Sequence, residues 1–387
     1  MRGGAATVYE NLCKYSNGAI EALSASLSYE TGLAPEGLER YDASAPFSIH
    51  RIELLRPAQT GEPSKLRDLA LMTKVLWRIV AVARRERIRV ICLGDLVYGG
   101  WLVYPLKRLF RYPVIFYVHG EEITTRSGGG LFDRWRARFL AQADAVVCVS
   151  RFTQEALASR MGVERNKIAL IENGVDTERF RPSDPDPALV ARHGWAGRRV
   201  ILSVGRLVRR KGFDKLIEAM PIVLKKCETA HLAIVGEGPL RDELEAAIRR
   251  HDLVGRASLL GAAADAELPA LYAAAELFAL PNRDMPDGDT EGFGLVFLEA
   301  NACAKPVIAG RAGGAVDAVK DGVNGLLVDG ESPEDIARAI LRLLDDDALR
   351  SRLSAGGLAA ARRADWRSRA AQFLMLCDRL AARGTGA

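Results

Sequence analysis

The sequence predicts an α/β protein of two domains, each with a parallel β-sheet covered by helices on both faces. The chain has 387 residues, enough for two domains that each bury a core. Short apolar runs alternate with longer amphipathic stretches along nearly the whole chain, as expected for parallel strands connected by helices. A stretch rich in proline and aspartate, 181–187, interrupts the alternation and has the composition of a linker. We therefore predict two Rossmann-like, doubly wound domains.

Before the linker, five apolar runs are short enough to be strands. These runs are 19–25, 47–55, 89–93, 112–118 and 143–149. Helical periodicity separates them, most clearly at 65–87 and 130–142. Several of the runs are continuous and rich in β-branched residues, as buried parallel strands are. We predict an N-terminal domain over residues 1–180.

The chain opens at a glycine pair instead of a strand. Met1 and Arg2 are followed directly by Gly3 and Gly4, which begin a helical stretch. In a doubly wound sheet the first strand normally precedes the first glycine loop and lies centrally. We therefore expect the first strand of the N-terminal domain to be absent, through a mis-called start codon or a truncation.

After the linker, the alternation repeats more clearly. The predicted strands are 199–204, 231–235, 257–260, 276–280, 306–309 and 325–328. The predicted helices are 215–226, 240–250, 267–274, 295–304 and 333–344. Ser332 and Pro333 mark one helix start, since serine is a good N-cap and proline suits the first helical position. We predict a second domain over 198–364, followed by a segment, 365–387, whose apolar residues have helical spacing.

Composition favours a soluble cytoplasmic protein. No segment approaches the roughly 20 apolar residues that a membrane-spanning helix needs. Six scattered cysteines without CxxC spacing favour free thiols over disulfides or a zinc site. The net charge of +5 is unevenly placed, because residues 65–138 hold 15 Lys and Arg against 6 Asp and Glu. Anionic lipid headgroups, a polyanionic acceptor or solubility alone would each account for this excess.

The strongest chemical motif is a glycine-rich turn that leads into an apolar helix over 291–300. The amides of residues 293–295 are predicted at the helix N-terminus, where free N–H groups and the helix dipole bind anions. Glu291 precedes the helix and can accept hydrogen bonds from sugar hydroxyls, while Glu299, two turns later, suits a diol such as a ribose. The structural alternative is a capped helix in which Glu291 only complements the dipole.

Two further motifs follow predicted strands, at the edge where α/β sheets bind ligands. In the basic loop 205–214, Arg206 and Lys211 could clamp a diphosphate and stabilise its charge, or form solvated surface. His119 and Gly120 follow the strand 112–118 and are placed for a cleft, although a buried structural histidine is the alternative.

Three weaker signals remain. The pair Gly3–Gly4 could bring backbone close to a phosphate or an acceptor, and the stretch 236–239 could line a base pocket. Aromatic and basic residues interleave at 104–112 and 134–139, which indicates either an interfacial membrane contact or helix faces with their aromatic residues inward.

The absence of several well-known catalytic motifs narrows the possible enzyme classes. The sequence contains no GxxxxGK[ST], GxSxG or HExxH motif and no zinc-ligand spacing. By contrast, residues 291–300 resemble the paired-glutamate signature of the family 4 retaining glycosyltransferases. The stretches 149–150, 173–176, 205–214, 236–239 and 324–328 also resemble landmarks of this family, in their usual order.

This resemblance implies a GT-B fold, in which two facing domains enclose a nucleotide-sugar donor and the last segment, 365–387, crosses back to the first domain. The implied catalytic residues are His119, Glu291, Arg206 and Lys211. The implied donor-binding residues are Gly4, Gly205, Arg206, Lys211, Gly236, Glu291, Gly292, Phe293, Gly294, Leu295 and Glu299.

The resemblance also implies partners. The donor is expected to be a GDP- or UDP-linked hexose of the mannose or glucose type, and the acceptor a lipid or oligosaccharide in cell-envelope glycan synthesis. Neither a metal nor another cofactor is expected, nor a nucleic-acid partner. We expect a cytoplasmic enzyme with peripheral contact to an anionic membrane.

Two alternatives stay open at this point. The chain could be a nucleotide-sugar epimerase of GT-B fold, which would release an altered sugar without an acceptor. It could also be an inactive carbohydrate- or nucleotide-binding relic of a truncated chain. The sequence leaves the donor nucleotide, the acceptor, the linkage and the oligomeric state undecided.

Overall fold

The computed structural model describes residues 3–27, 33–53, 65–97, 99–125 and 130–384. Every strand pairing within these ranges is parallel. The strands are β1 (Ala22–Ala25), β2 (Ile49–Ile52), β3 (Ile91–Leu93), β4 (Val114–Val118), β5 (Ala145–Cys148), β6 (Ile168–Leu170), β7 (Arg199–Val204), β8 (Ala230–Val235), β9 (Ala257–Leu259), β10 (Leu277–Leu280), β11 (Val307–Gly310) and β12 (Gly325–Val328). All eleven strands predicted from apolar runs are present among them, with ends that differ by up to three residues.

Helices connect the strands. They are α1 (Gly4–Lys14), α2 (Leu38–Ser44), α3 (Lys65–Arg85), α4 (Val103–Arg108), α5 (Glu121–Thr124), α6 (Gly130–Gln142), α7 (Arg151–Ser159), α8 (Pro187–Arg192), α9 (Phe213–Leu224), α10 (Arg241–Arg250), α11 (Leu268–Ala274), α12 (Leu295–Ala302), α13 (Ala315–Ala318), α14 (Pro333–Asp345), α15 (Asp347–Arg363) and α16 (Trp366–Gly384). The predicted helix start at Ser332 is confirmed, because the Ser332 side chain accepts a hydrogen bond from the Asp335 N–H. None of the described helices combines the length and the apolarity that a bilayer crossing requires.

The second half contains a six-stranded sheet in the order β12-β11-β10-β7-β8-β9. Read from β9, this is the order of the doubly wound dinucleotide-binding sheet, with the central reversal between β7 and β10. The strands β7, β8 and β10 are almost entirely buried, as their continuous apolar sequences predict. The predicted Rossmann-like architecture is therefore confirmed, and it places a crevice at the carboxyl ends of β7 and β10.

The first half contains a four-stranded sheet, β3-β4-β5-β6, and a separate two-stranded sheet, β1-β2. Among the described residues α1 precedes every strand and begins at Gly4, as the glycine pair predicts. No described strand pairs with both sheets.

The final helix, α16, lies against the first half of the chain. Phe373 on α16 packs against Tyr117 of β4 with ring centroids 6.0 Å apart, and the Arg89 guanidinium pairs with Asp378. Val175 also pairs with Asp365 through a backbone bridge just before α16. The domain boundaries at 180, 198 and 364 stay a prediction.

Helix α15 shows why one long helix escaped prediction. Its sequence includes the pair Gly356 and Gly357, which is typical of a loop. In the structure a Cβ at Gly357 would lie 2.5 Å from the Asn301 side chain of α12. The glycine therefore allows close helix packing, a tertiary requirement that local propensity does not show.

Candidate functional site

The predicted site residues are distributed around the crevice at the switch point of the six-stranded sheet. The loop after β7 carries Arg206 and Lys211, and the loop after β10 leads to Glu291 and α12. From the first half, the loop after β4 carries His119 toward the same crevice. Ligands of open α/β sheets bind at this type of position.

The two halves of the chain touch at Gly292. A Cβ at Gly292 would lie 1.9 Å from the His119 carbonyl oxygen, so only glycine fits between the two loops. A second contact lies nearby, where the Asp317 carboxylate accepts the N–H of Arg151, at 2.7 Å, and of Phe152 at the start of α7. These contacts join the two halves of the chain and bring His119 beside the turn that starts α12.

Two helix N-termini meet at the crevice. Gly294 is the N-cap of α12 with φ of 89°, a left-handed conformation that favours glycine, and no side chain caps the helix. The start of α1 also has a glycine cap without a side-chain hydrogen bond. A Cβ at Gly4 would lie 3.9 Å from the Leu295 side chain, so the two helix starts are neighbours. Their free N–H groups and dipoles favour an anion between them.

Lys211 and Glu291 form a buried ion pair beside the start of α12. The Lys211 Nζ donates to Glu291 Oε2 at 2.5 Å, and each side chain is only 11% exposed. Burial alone would raise the pKa of Glu291, but the charges of Lys211 and Arg210 and the Phe293 N–H lower it instead. Glu291 is therefore ionised near neutral pH, and Lys211 has a charged partner that an incoming diphosphate can replace.

Arg210 is a site residue that the sequence did not distinguish from its neighbours. Its guanidinium donates to both oxygens of Asp289, at 3.0 and 3.1 Å, and lies 3.7 Å from Glu121 of the first half. Burial alone would lower the pKa of Arg210, but three surrounding carboxylates, led by Glu291, raise it. The adjacent Arg209 instead points outward to Glu243 and is half exposed. The backbone turn at Arg209–Lys211 therefore directs Arg210 into the crevice and Arg209 to the surface.

Arg206 has a different environment from Lys211. Its side chain is exposed and forms no ion pair with any described residue. Gly205 and Gly236 lie together instead, since a Cβ at Gly236 would be 1.9 Å from the Gly205 carbonyl oxygen. The structure thus brings Lys211 and Glu291 together but leaves Arg206 without a partner in the described chain, and its role as a diphosphate ligand stays a prediction.

Glu299 lies deeper along α12, apart from the Lys211–Glu291 pair. The Tyr272 hydroxyl of α11 donates to Glu299 Oε2 at 3.0 Å. Burial raises the pKa of Glu299, and the Tyr272 hydrogen bond and the charge of Arg179 offset this only in part. Its second carboxylate oxygen has no hydrogen-bond partner among the described residues, so it can accept a ligand hydroxyl.

His119 is held by Tyr9 of α1, a contact that the sequence did not indicate. The His119 Nε2 lies 2.9 Å from the Tyr9 hydroxyl, which in turn is 3.1 Å from the Gly94 carbonyl oxygen and 3.3 Å from that of Tyr117. We assign the one proton of the Tyr9 hydroxyl to one of these carbonyls, which can only accept, and the hydroxyl then accepts from Nε2–H. This assigns the neutral Nε2–H tautomer and leaves Nδ1 as a hydrogen-bond acceptor.

The backbone before and after His119 is also fixed. The Glu122 carboxylate accepts the N–H of His119 at 3.1 Å and that of Gly120 at 2.9 Å. Arg136 of α6 donates to the Glu122 carbonyl oxygen at 2.5 Å. The turn is therefore locked from both sides, which positions the imidazole before any ligand binds.

Burial gives His119 a measurable effect on stability. It lowers the pKa of His119 from 6.5 to about 4, so the unfolded chain binds a proton between these pH values that the folded chain does not. We expect the free energy of unfolding to decrease by up to about 3 kcal/mol as the pH falls through this window. Chemical denaturation from pH 7 to 4 should show a steeper loss for the wild type than for His119→Gln. Parallel curves for the two proteins would contradict this.

The described residues contain no group of three or more His, Cys, Asp and Glu side chains arranged to hold a metal ion. The loop before Glu291 carries two carboxylates, and both have partners. Asp287 accepts a hydrogen bond from the Asp289 N–H, and Asp289 accepts one from Arg210. The expected independence from metal stays a prediction.

Comparison with known proteins covers both halves of the chain. Residues 2–179 match the family described as Glycosyltransferase Family 4, and residues 187–358 match Glycosyl transferases group 1. The GDP-mannose-dependent monoacylated alpha-(1-6)-phosphatidylinositol monomannoside mannosyltransferase of Corynebacterium glutamicum is 34% identical over 300 residues, which cover 76% of this chain and 77% of that protein.

Two further comparisons are informative. The GDP-mannose-dependent alpha-(1-6)-phosphatidylinositol monomannoside mannosyltransferase of Mycolicibacterium smegmatis is 39% identical over 241 residues, which span 60% of this chain and 62% of that relative. The structure of Alr3699/HepE from Anabaena in complex with UDP and glucose has a TM-score of 0.77, covering 97% of this chain and 96% of that one at 23% identity. This similarity confirms the predicted fold, two Rossmann-like domains around a cleft.

Proposed function

The chain belongs to glycosyltransferase family 4, and we propose that it transfers mannose from GDP-mannose to a phosphatidylinositol-type lipid acceptor with retention of the anomeric configuration. The observation that carries this proposal is the Lys211–Glu291 pair beside the free start of α12, facing His119. Family membership rests on both halves of the chain and on the relative from Corynebacterium glutamicum.

The crevice offers separate sites for the parts of a nucleotide sugar. The amides of residues 293–295, together with Lys211, would bind the diphosphate, since both favour negative charge. Glu299 would accept hydrogen bonds from the ribose hydroxyls through its free oxygen. Glu291 and His119 would then face the hexose, at the point where the two halves meet.

The charges in the crevice suit departure of a diphosphate. Lys211 and the α12 amides would stabilise the negative charge that develops as the bond from the anomeric carbon to the diphosphate breaks. The acceptor oxygen would attack on the same face, and its proton would pass to the leaving diphosphate. A neutral His119 accepts a hydrogen bond from a sugar hydroxyl through Nδ1. It adds no positive charge beside the attacking acceptor oxygen.

The named relatives support mannose as the sugar and GDP as the nucleotide. Both mannosyltransferases are described as GDP-mannose-dependent and as acting on phosphatidylinositol monomannoside. UDP-hexoses and oligosaccharide acceptors are the alternatives to exclude. We propose further that the chain acts in the cytoplasm, since all six cysteines are free in the structure, as in a reducing compartment.

The test is an assay of the purified chain against a panel of GDP- and UDP-sugars, each with and without EDTA and with and without phosphatidylinositol mannoside. We expect GDP-mannose to be consumed only when the acceptor is present, and NMR to show an α-linked product. A free altered sugar without acceptor would indicate an epimerase, and donor binding without turnover an inactive relic. A β-linked product would overturn the retaining mechanism, and loss of turnover in EDTA would overturn metal independence.

Tyr9 provides a test of how His119 is positioned. We expect Tyr9→Phe to lower kcat/KM for GDP-mannose about fivefold, because Nε2–H loses its acceptor and the tautomer is no longer held, a cost of about 1 kcal/mol. The ring contacts with Tyr117 and His119 remain possible for phenylalanine. Tyr112→Phe, at the opposite end of β4 from His119, is the matched control. An unchanged kcat/KM in Tyr9→Phe would show that Tyr9 only fills space.

A further inference from the structure

Arg283 lies just beyond the end of β10 and is buried, although the mechanism described above gives it no role. Its side chain is 8% exposed and pairs with Asp214, whose side chain is 15% exposed. Such a pair stabilises a fold little, because the cost of removing two charges from water offsets their attraction. The Arg283 Nε and Asp214 Oδ1 also have no hydrogen-bond partner in the described parts of the chain. The pair is therefore better explained by the orientation that it imposes on its surroundings.

The Arg283 guanidinium links three loops at the carboxyl edge of the six-stranded sheet. Its Nη2 donates to Asp214 Oδ2 at 2.8 Å, in the first turn of α9. Its Nη1 donates to Glu331 Oε2 at 3.2 Å, in the loop between β12 and α14. Glu331 is 59% exposed, so the contact with Asp214 is the stronger of the two. Arg283 therefore fixes the start of α9 relative to the end of β10.

The start of α9 is continuous with the turn that carries Lys211. Gly212, with φ of 70°, is the N-cap of α9 and directly follows Lys211. A Cβ at Gly212 would lie 2.0 Å from the Pro281 carbonyl oxygen, so the turn rests directly on the segment after β10. The Arg283 N–H donates to the Arg210 carbonyl oxygen at 2.8 Å. The main chain of Arg283 thus holds the turn itself, and its side chain holds the helix that follows.

We propose that Arg283 is a positioning residue, which through Asp214 holds the turn at 209–211 so that the Lys211 ammonium lies against Glu291 and the departing diphosphate. The role of Lys211 in transfer rests on the proposed function, whereas its placement by Arg283 does not. A displacement of the turn by about 1 Å would move the Lys211 Nζ out of the geometry that transfer requires, and such a change can lower a rate by about a hundredfold.

The test variant is Arg283→Met/Asp214→Asn, which removes both charges of the pair and leaves neither one buried alone. We expect its kcat for GDP-mannose to fall between about tenfold and a hundredfold, with a smaller change in KM, because the turn is present but no longer aligned. In the Lys211→Ala background the same two substitutions should lower the single-turnover rate by less than about twofold, since the group that they position is gone. An equal factor in both backgrounds would indicate a role in folding alone and would overturn the proposal.

The matched control removes an ion pair of the same kind at the opposite edge of the same sheet. The Arg199 guanidinium, at the start of β7, donates to both carboxylate oxygens of Glu276, just before β10. Arg199→Met/Glu276→Gln should keep kcat within about twofold of the wild type, even where its free energy of unfolding falls. A loss as large as that of the test variant would show that any lost ion pair in this sheet lowers activity, which also contradicts a specific role for Arg283.

The placement of Lys211 is also measurable without donor or turnover. Acetylation by a water-soluble amine reagent, followed by mass spectrometry, reports how far burial and the pairing with Glu291 protect Lys211. We expect Lys211 to be labelled at least about tenfold faster in Arg283→Met/Asp214→Asn, with no change at the exposed Lys225 at the end of α9. Unchanged labelling of Lys211 would overturn the proposal. No mannose transfer by the wild type would overturn the proposed function, and the labelling rates would then still decide whether Arg283 positions Lys211.

Discussion

Replacing Lys211 with alanine is expected to lower kcat/KM for GDP-mannose by about two to three orders of magnitude while the chain stays folded. In the structure Lys211 is the buried cation next to the start of α12, paired with Glu291 at 2.5 Å. Under the proposed mechanism it stabilises the charge of the departing diphosphate, and loss of such a preorganised group costs about 3–4 kcal/mol in the transition state. The loss should appear mainly in kcat.

The neighbouring Arg209 supplies a matched control for Lys211. It lies in the same turn and has the same charge, but it pairs with Glu243 at the surface and is half exposed. Arg209→Ala should therefore retain activity within about twofold, since exposed pairs contribute little. Thermal unfolding of both variants separates a folding defect from a catalytic one. Equal activity of Lys211→Ala and wild type would remove Lys211 from the site.

Replacing Glu291 with alanine is expected to lower kcat/KM for GDP-mannose to a similar degree, again by about two to three orders of magnitude. Its carboxylate is buried and ionised, because Lys211, Arg210 and the Phe293 N–H together overcome the effect of burial on its pKa. The variant leaves Lys211 without its carboxylate partner and removes the proposed acceptor for the sugar hydroxyls. Glu291→Gln preserves the size and isolates the contribution of the charge. Glu243 is the surface partner of Arg209, so Glu243→Gln is the corresponding control.

Combining the two substitutions distinguishes one functional unit from two independent sites. Lys211 and Glu291 contact each other, so the loss in Lys211→Ala/Glu291→Ala should be much smaller than the product of the single losses. Single-turnover rates at saturating GDP-mannose measure this without a contribution from product release. Fully multiplicative losses would indicate that the two side chains act at separate points.

Much of the fold was predictable because its signals are local. Continuous buried runs such as 114–118 and 199–204 identify parallel strands by sequence alone, since both faces of the sheet are covered. The start of α12 was also predictable, because the glycine turn and the following apolar helix are contiguous in sequence. The three-residue strand β6 was missed, since so short a run does not stand out from its surroundings.

The composition of the site was less predictable. The pairing of His119 with Tyr9 joins residues 110 positions apart, and nothing near either residue indicates the other. Arg209, Arg210 and Lys211 are alike in sequence, yet the turn directs Arg209 toward solvent and the other two toward carboxylates of the crevice. Arg206, a clear candidate in sequence, is exposed and has no ion-pair partner in the described part of the chain.

Local features of the sequence specify the two-domain α/β architecture, the position of the crevice and the helix start that faces it. These follow from hydrophobic periodicity, glycine placement and the alternation of strands with helices, which are visible in short stretches of sequence. Contacts between distant segments were needed to establish which charges are buried together and which tautomer is assigned to His119. Burial and hydrogen bonding depend on distances between segments far apart in the chain, and no local pattern contains those distances.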